Sequence, residues 1–215
     1  VRDSTDITVL SIFTTMEEVS VYSVYFLVVG GIKNLMLSCF NGISALFGEL
    51  WAKQERKELN RYFAYVEWLL HAVVLFVWCC TYKLIVPFVL VYTKNVTDAN
   101  YNVPVFAAFF CIAYMLYCLR LPFNTMILAA GHYKNTQNIY FISAAVNLVV
   151  SVVAVNCWGL VGVAVGSISA MLYQLLHMAY YVVKQLQVHS FSRLGKQFAV
   201  NLLTIILVLC ATGMI

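Results

Sequence analysis

Charge is scarce in this chain. Thirteen Lys and Arg and nine Asp and Glu make up 10% of 215 residues, against about 25% in an ordinary soluble domain. Breakers are scarce too, with three prolines and ten glycines. So little polar surface excludes a soluble enzyme, a disordered tail and a nucleic-acid-binding module. Several chemistries lack their residues. No two of the seven cysteines form a Cys-x-x-Cys pair, so no disulfide framework or metal site is expected. There is no Gly-x-x-x-x-Gly-Lys-Ser/Thr phosphate loop and no His-Glu-x-x-His. The acids are too few and scattered for a paired-carboxylate active site. No cofactor is expected, and any enzyme would have to act from short connectors.

What is abundant is apolar: 63% of the residues, with 14 Tyr and 14 Phe. This predicts an integral membrane protein. A bilayer core takes about 20 apolar residues of helix. Six segments meet that length: residues 19–48, 62–92, 104–130, 137–157, 160–184 and 195–215. A shorter run, residues 5–16, precedes them. Stretches such as Leu69–Cys80 are apolar at consecutive positions, which excludes the alternation of a membrane β-barrel. The fold class expected is therefore all-α, a polytopic transmembrane bundle of about seven helices. Because the chain opens at Val1 and closes at Ile215 inside an apolar run, we expect a fragment of a longer membrane protein. Residues 1–186 would form one bundle, and 187–215 a connector and an additional helix.

The connectors alternate in charge. Lys53, Arg56, Lys57, Arg61, Lys134, Lys184, Arg193 and Lys196 fall in or near the second, fourth and sixth, and Lys94 alone in the others. The positive-inside rule places the basic set in the cytoplasm. The charged stretch Glu49–Arg61 reads as a short amphipathic cytoplasmic helix, with Leu50, Leu59, Tyr62 and Phe63 dipping into the headgroups.

Polar residues at membrane depth are the candidates for function. Lys33 stands near the middle of its segment, beside a stripe of Ser23, Gly30, Asn34, Ser38, Asn41, Ala45 and Gly48. The stripe suits either a close helix contact or a wet groove. Arg120 lies about 5 Å from the middle of its span. Pro122 cannot donate to the Cys118 carbonyl, so a kink is expected there, and Asn124 is close by. A fixed cation, a kink and an amide suit an anionic group; the other reading is that Arg120 snorkels or pairs with Glu67. Glu67 and His71, one turn apart, suit a proton relay or hydrogen bonds to neighbouring helices. Lys83 lies further out. Gln174 and His177 read as helix-contact groups. Ser143, Asn147 and Ser151 share one face and can meet another helix or a sugar. Gly162 and Gly166 permit close helix packing.

Several stretches carry a resemblance: Glu18-Val-Ser-Val-Tyr-Ser-Val-Tyr25, Pro87-Phe-Val-Leu-Val-Tyr-Thr-Lys-Asn-Val-Thr-Asp98, Tyr117-Cys-Leu-Arg-Leu-Pro-Phe-Asn124, Ala129-Ala-Gly-His-Tyr-Lys-Asn-Thr-Gln137, Asn147 and Gly159-Leu-Val-Gly-Val-Ala-Val-Gly166. From about Asp6 to Lys184 the chain resembles the polysaccharide biosynthesis branch of the multidrug/oligosaccharidyl-lipid/polysaccharide exporter superfamily. The resemblance implies the second six-helix bundle, plus one extra helix, of a plasma-membrane flippase for undecaprenyl-pyrophosphate-linked oligosaccharides. Lys33, Arg120 and Lys83 would hold the pyrophosphate, and Asn34, Asn41, Asn124 and Asn147 would serve the substrate cavity. Its partners would be the lipid-linked oligosaccharide, membrane lipids, the first bundle of the same chain and the glycan polymerase machinery, with no nucleic acid. A multidrug exporter and a membrane-embedded glycosyltransferase or ligase are the alternatives. Basic mid-membrane charges disfavour the exporter, and the want of a large carboxylate-bearing loop disfavours the transferase.

The charge asymmetry makes a prediction. On a Cys-free background in intact cells, an impermeant thiol reagent should label a cysteine at position 98 and spare one at position 57. The reverse pattern overturns the orientation.

Overall fold

The computed structural model describes residues 2–188 and 191–213, without the side chains of 2–4, 191, 193 and 205–213. The expected end at Ile215 and the side chains of Arg193 and Cys210 lie outside the described residues. The fold is all-α. The helices are α1 (Arg2–Phe13), α2 (Met16–Ala52), α3 (Arg56–Tyr92), α4 (Pro104–Leu119), α5 (Leu121–Ala129), α6 (Tyr133–Trp158), α7 (Leu160–Tyr181) and α8 (Phe191–Gly213). A five-residue π-turn, Val182–Leu186, closes α7. Five helical segments, α4 with α5 counted as one, are long and apolar enough to cross a membrane. This is the pattern of a multi-pass membrane protein.

The first helix differs from expectation. It ends at Phe13, not Met16, because Thr15 takes the N-cap of α2 and its hydroxyl accepts from the Glu18 N–H at 3.4 Å. Glu17 and Glu18 are thus first-turn residues of α2, where acids favour the helix dipole. At 12 residues, α1 reaches about 18 Å, short of the bilayer core of about 30 Å.

The amphipathic helix expected at Glu49–Arg61 does not form. Instead α2 and α3 run on as two 37-residue helices, joined by the short turn at residues 53–55. Glu, Leu, Ala, Lys and Arg are good helix formers, so both helices continue through their charged ends. Gln54 reverses the chain with φ of 58°, and the Glu55 N–H closes back on the Leu50 carbonyl at 3.1 Å. Arg56 then stacks on the Trp51 ring at 3.8 Å and donates to the Leu186 carbonyl at 3.4 Å, tying the hairpin to the π-turn.

The centre of the bundle is α4 and α7, whose apolar windows are 61% and 56% buried against about 30% for the other spans. The α2–α3 hairpin lies on one side, α6 on another, α1 against α2, α6 and α7, and, in the larger contacts among the described residues, α8 against α3. The α6–α7 interface is the most extensive. Gly159 alone joins these helices. Its φ is 52°, and the Glu18 carboxylate occupies the space a side chain would take. A Cβ at Gly162 would overlap the Ala154 backbone, and one at Gly166 would overlap Ser151 Oγ. The small-residue spacing read from the sequence is a close helix contact.

Gly162→Ala should therefore destabilise the protein by about 1–3 kcal/mol through overpacking. Gly31→Ala, with nothing within 4 Å of its Cβ position, should be neutral or stabilising by up to about 1 kcal/mol. Thermal unfolding of the two variants in detergent checks the contrast.

Candidate functional site

The polar residues expected at membrane depth separate into two groups. Lys33, Arg120 and Asn147 line one cavity of about 420 Å³, with Thr5, Tyr117, Tyr140, Ser143 and Gln174 among its other walls. It lies between α1, α2, α4, α6 and α7. Lys83, Asn34 and Asn41 are not among its lining residues. All three are exposed on the outer surfaces of α2 and α3.

Aromatic rings hold the two cations. Lys33 Nζ sits 5.4 Å from the centroid of Phe26, 5.5 Å from Tyr114 and 5.8 Å from Tyr117. The Arg120 guanidinium lies 4.5 Å from Tyr117 and 6.0 Å from Tyr140. Ring faces attract cations without neutralising them, and the Tyr117 ring is shared by both cations. Arg120 is 6% exposed. Its Nη1 approaches the Met178 sulfur at 3.7 Å, and its Nε has no partner among the described residues. Of the two alternatives open to Arg120, snorkelling and pairing with Glu67, the contacts of its guanidinium support neither: they are with Met178 and the Tyr117 and Tyr140 rings.

The helix is interrupted where a kink was expected, at Arg120 itself. Helix α4 ends at Leu119 and α5 begins at Leu121, with Pro122 in its first turn. The Arg120 N–H bonds to the Leu116 carbonyl at 3.3 Å, and the Arg120 carbonyl accepts from the Asn124 N–H at 3.1 Å. Asn124 does not line the cavity; its Oδ1 accepts from the Tyr140 hydroxyl and so braces the wall. Glu67 and His71 are both buried on α3. His71 engages Leu119 on one side and Asn201 on the other.

The polar face of α6 belongs mainly to a seam that sequence reasoning did not assemble. Its centre is Asp6, 1% exposed. One carboxylate oxygen accepts from Asn147 Nδ2 at 2.8 Å. The other accepts from Ser167 Oγ at 2.8 Å and from the Tyr22 hydroxyl at 3.3 Å. Ser151 donates to Asn147 Oδ1 at 3.2 Å, and Ser143 to the Ala170 carbonyl at 3.1 Å. Asn147 thus has its amide oxygen and nitrogen committed within the protein. Gln174 donates to Ser143 at 2.7 Å, while its Oε1 is buried without a partner among the described residues. An acid opening an apolar run was the available signal for Asp6, and tyrosines three apart leading to Arg120 were the signal for the ring cage. His177 is exposed and stacks on Tyr173 at 4.3 Å.

At the Asp98 end of the bundle, Tyr101 and Ser20 donate to the Asp98 carboxylate at 2.9 and 3.0 Å. The Tyr101 bond foremost holds this acid below the usual carboxylate range. Among the described residues, no group of three His, Cys, Asp or Glu can hold a metal, and the six cysteines with described side chains are free. No protein-family model, curated protein or solved structure matches this chain.

Removing the Asp6 carboxylate strands three buried donors. Asp6→Ala should cost about 3 kcal/mol or more. Asp6→Asn should cost less, because its amide oxygen still accepts. Denaturant titration in detergent micelles gives the comparison; equal losses would show that Asp6 acts by packing alone.

Proposed function

We infer that the chain is one bundle of a flippase that carries undecaprenyl-pyrophosphate-linked oligosaccharide, of the O-antigen or capsule type, across the plasma membrane by alternating access. One observation carries the reading. Two cations from different helices, near mid-depth, reach a single cavity whose lining, among the described residues, includes no carboxylate. A group that needs this arrangement is an anion that must cross a low-dielectric layer. A pyrophosphate offers several oxygens, and a guanidinium can bond two of them at once. Lys33 adds a second positive charge near the same Tyr117 ring.

The outer faces of α2 and α3 support the same reading. On α3, Trp68, Phe76, Leu84, Phe88 and Val91 are exposed, an apolar surface suited to lipid. On α2, Ser23, Asn34, Ser38 and Asn41 are exposed. A polar stripe on a membrane-crossing helix is costly against acyl chains. In this reading it faces a water-filled path shared with a second bundle, where Asn34 and Asn41 meet sugar hydroxyls. Lys83 stands apart from the cavity and has no part in holding the pyrophosphate. The role is transport, and the chain needs no cofactor for it.

The test is complementation of a flippase-null strain with the full-length protein, scored by surface glycan at matched protein levels. Arg120→Lys keeps the charge and loses the two-bond geometry, so transport should fall roughly tenfold, the equivalent of one charge-assisted hydrogen bond. Lys83→Arg should leave glycan unchanged. Full glycan from Arg120→Lys would remove Arg120 as a bidentate contact.

A further inference from the structure

The break that carries Arg120 is held from outside the cavity. Leu119, the residue before it, offers its carbonyl to His71 Nε2 at 3.2 Å. The other ring nitrogen of His71 meets Asn201 Nδ2 of α8 at 3.0 Å. All three residues are buried: His71 is 1% exposed, Leu119 2% and Asn201 3%. The protonation pattern follows from the partners. A carbonyl only accepts, so Nε2 carries the proton. In a neutral imidazole Nδ1 is then an acceptor, and Asn201 must present its NH2 group. That orientation leaves Asn201 Oδ1 buried without a partner among the described residues. An amide held in a costly orientation is serving the bond its nitrogen makes.

We propose that α8 is a control element for the α4–α5 break. Asn201 fixes His71 as an Nε2–H donor, His71 anchors the Leu119 carbonyl, and this chain of bonds positions Arg120 over Tyr117. Two further observations support it. Pro122 removes the N–H that the Cys118 carbonyl would take, so the backbone beside Leu119 has fewer bonds of its own. And among the described residues the larger contacts of α8 are with α3, beside a crevice of about 420 Å³ lined by Trp68, Cys79, Gln197 and Asn201. Undocking α8 would therefore free the donor to the break while leaving the α6–α7 seam intact. The effect on ligand binding rests on the reading of the cavity as an anion site. The effect on the backbone does not.

The experiment uses the purified protein in nanodiscs, with hydrogen–deuterium exchange across residues 119–126 and calorimetric titration with inorganic pyrophosphate. Asn201→Leu and His71→Leu should speed exchange at the break at least about fivefold and weaken pyrophosphate binding by a similar factor. His71→Gln places an amide N–H near the Nε2 position and should restore both toward the native values. A purely structural histidine would not be rescued in this way. Unchanged exchange in Asn201→Leu overturns the proposal. So does acceleration spread equally over residues 143–170, or a His71→Gln variant as impaired as His71→Leu. If the native protein binds no pyrophosphate, the anion reading fails, and the exchange data still decide the role of α8.

Discussion

Inside a hydrocarbon layer a polar group has only the protein to bond to, and that constraint organises this bundle. Asp6 cannot stay buried on a short helix unless other helices bring it donors. Tyr22, Asn147 and Ser167 do so from α2, α6 and α7, and the position of α1 follows. The same rule acts on α6 and α7. Their approach at Gly162 and Gly166 is close enough for hydroxyls and carbonyls to meet across the interface. With those helices fixed, the wall of the cavity is fixed too, because Ser143, Asn147 and Gln174 belong both to it and to its polar framework.

The cations obey the rule differently. Aromatic faces lower the cost of burying the charges of Lys33 and Arg120. Tyr114, Tyr117, Phe26 and Tyr140 supply those faces.

Much of this was readable from residues alone, and the failures have physical causes. Helix spans follow from apolar runs, and the break at Arg120 is consistent with Pro122. Helix ends were misplaced because hydropathy falls where the bilayer ends, while helix formation stops only at a cap or a reversal. Thr15 and Gln54 are those stops, and neither is apolar. Sequence also gives the depth of a charge but not the direction it faces. Lys33 and Lys83 were both read as cavity candidates, yet one lies among rings inside the bundle and the other on its surface. Asp6 escaped assembly into a site because its partners lie as many as 161 positions away in the chain. Likewise, the link from Asn201 to His71 spans 130 positions, and no local pattern announces it.

The length of the α2–α3 hairpin has a mechanical consequence. Each helix runs about 55 Å, nearly twice the bilayer core, and the Arg56 contacts to Trp51 and Leu186 brace their joined ends. A rod of this length magnifies rotation. A tilt of about 5° around its midpoint, where Lys33 sits, swings the turn at residues 53–55 by about 2 Å, for a half-length of about 28 Å. Rearrangements too small to resolve at the cavity would thus appear as displacement of a charged tip in water, where a probe can be attached without touching the membrane-embedded residues.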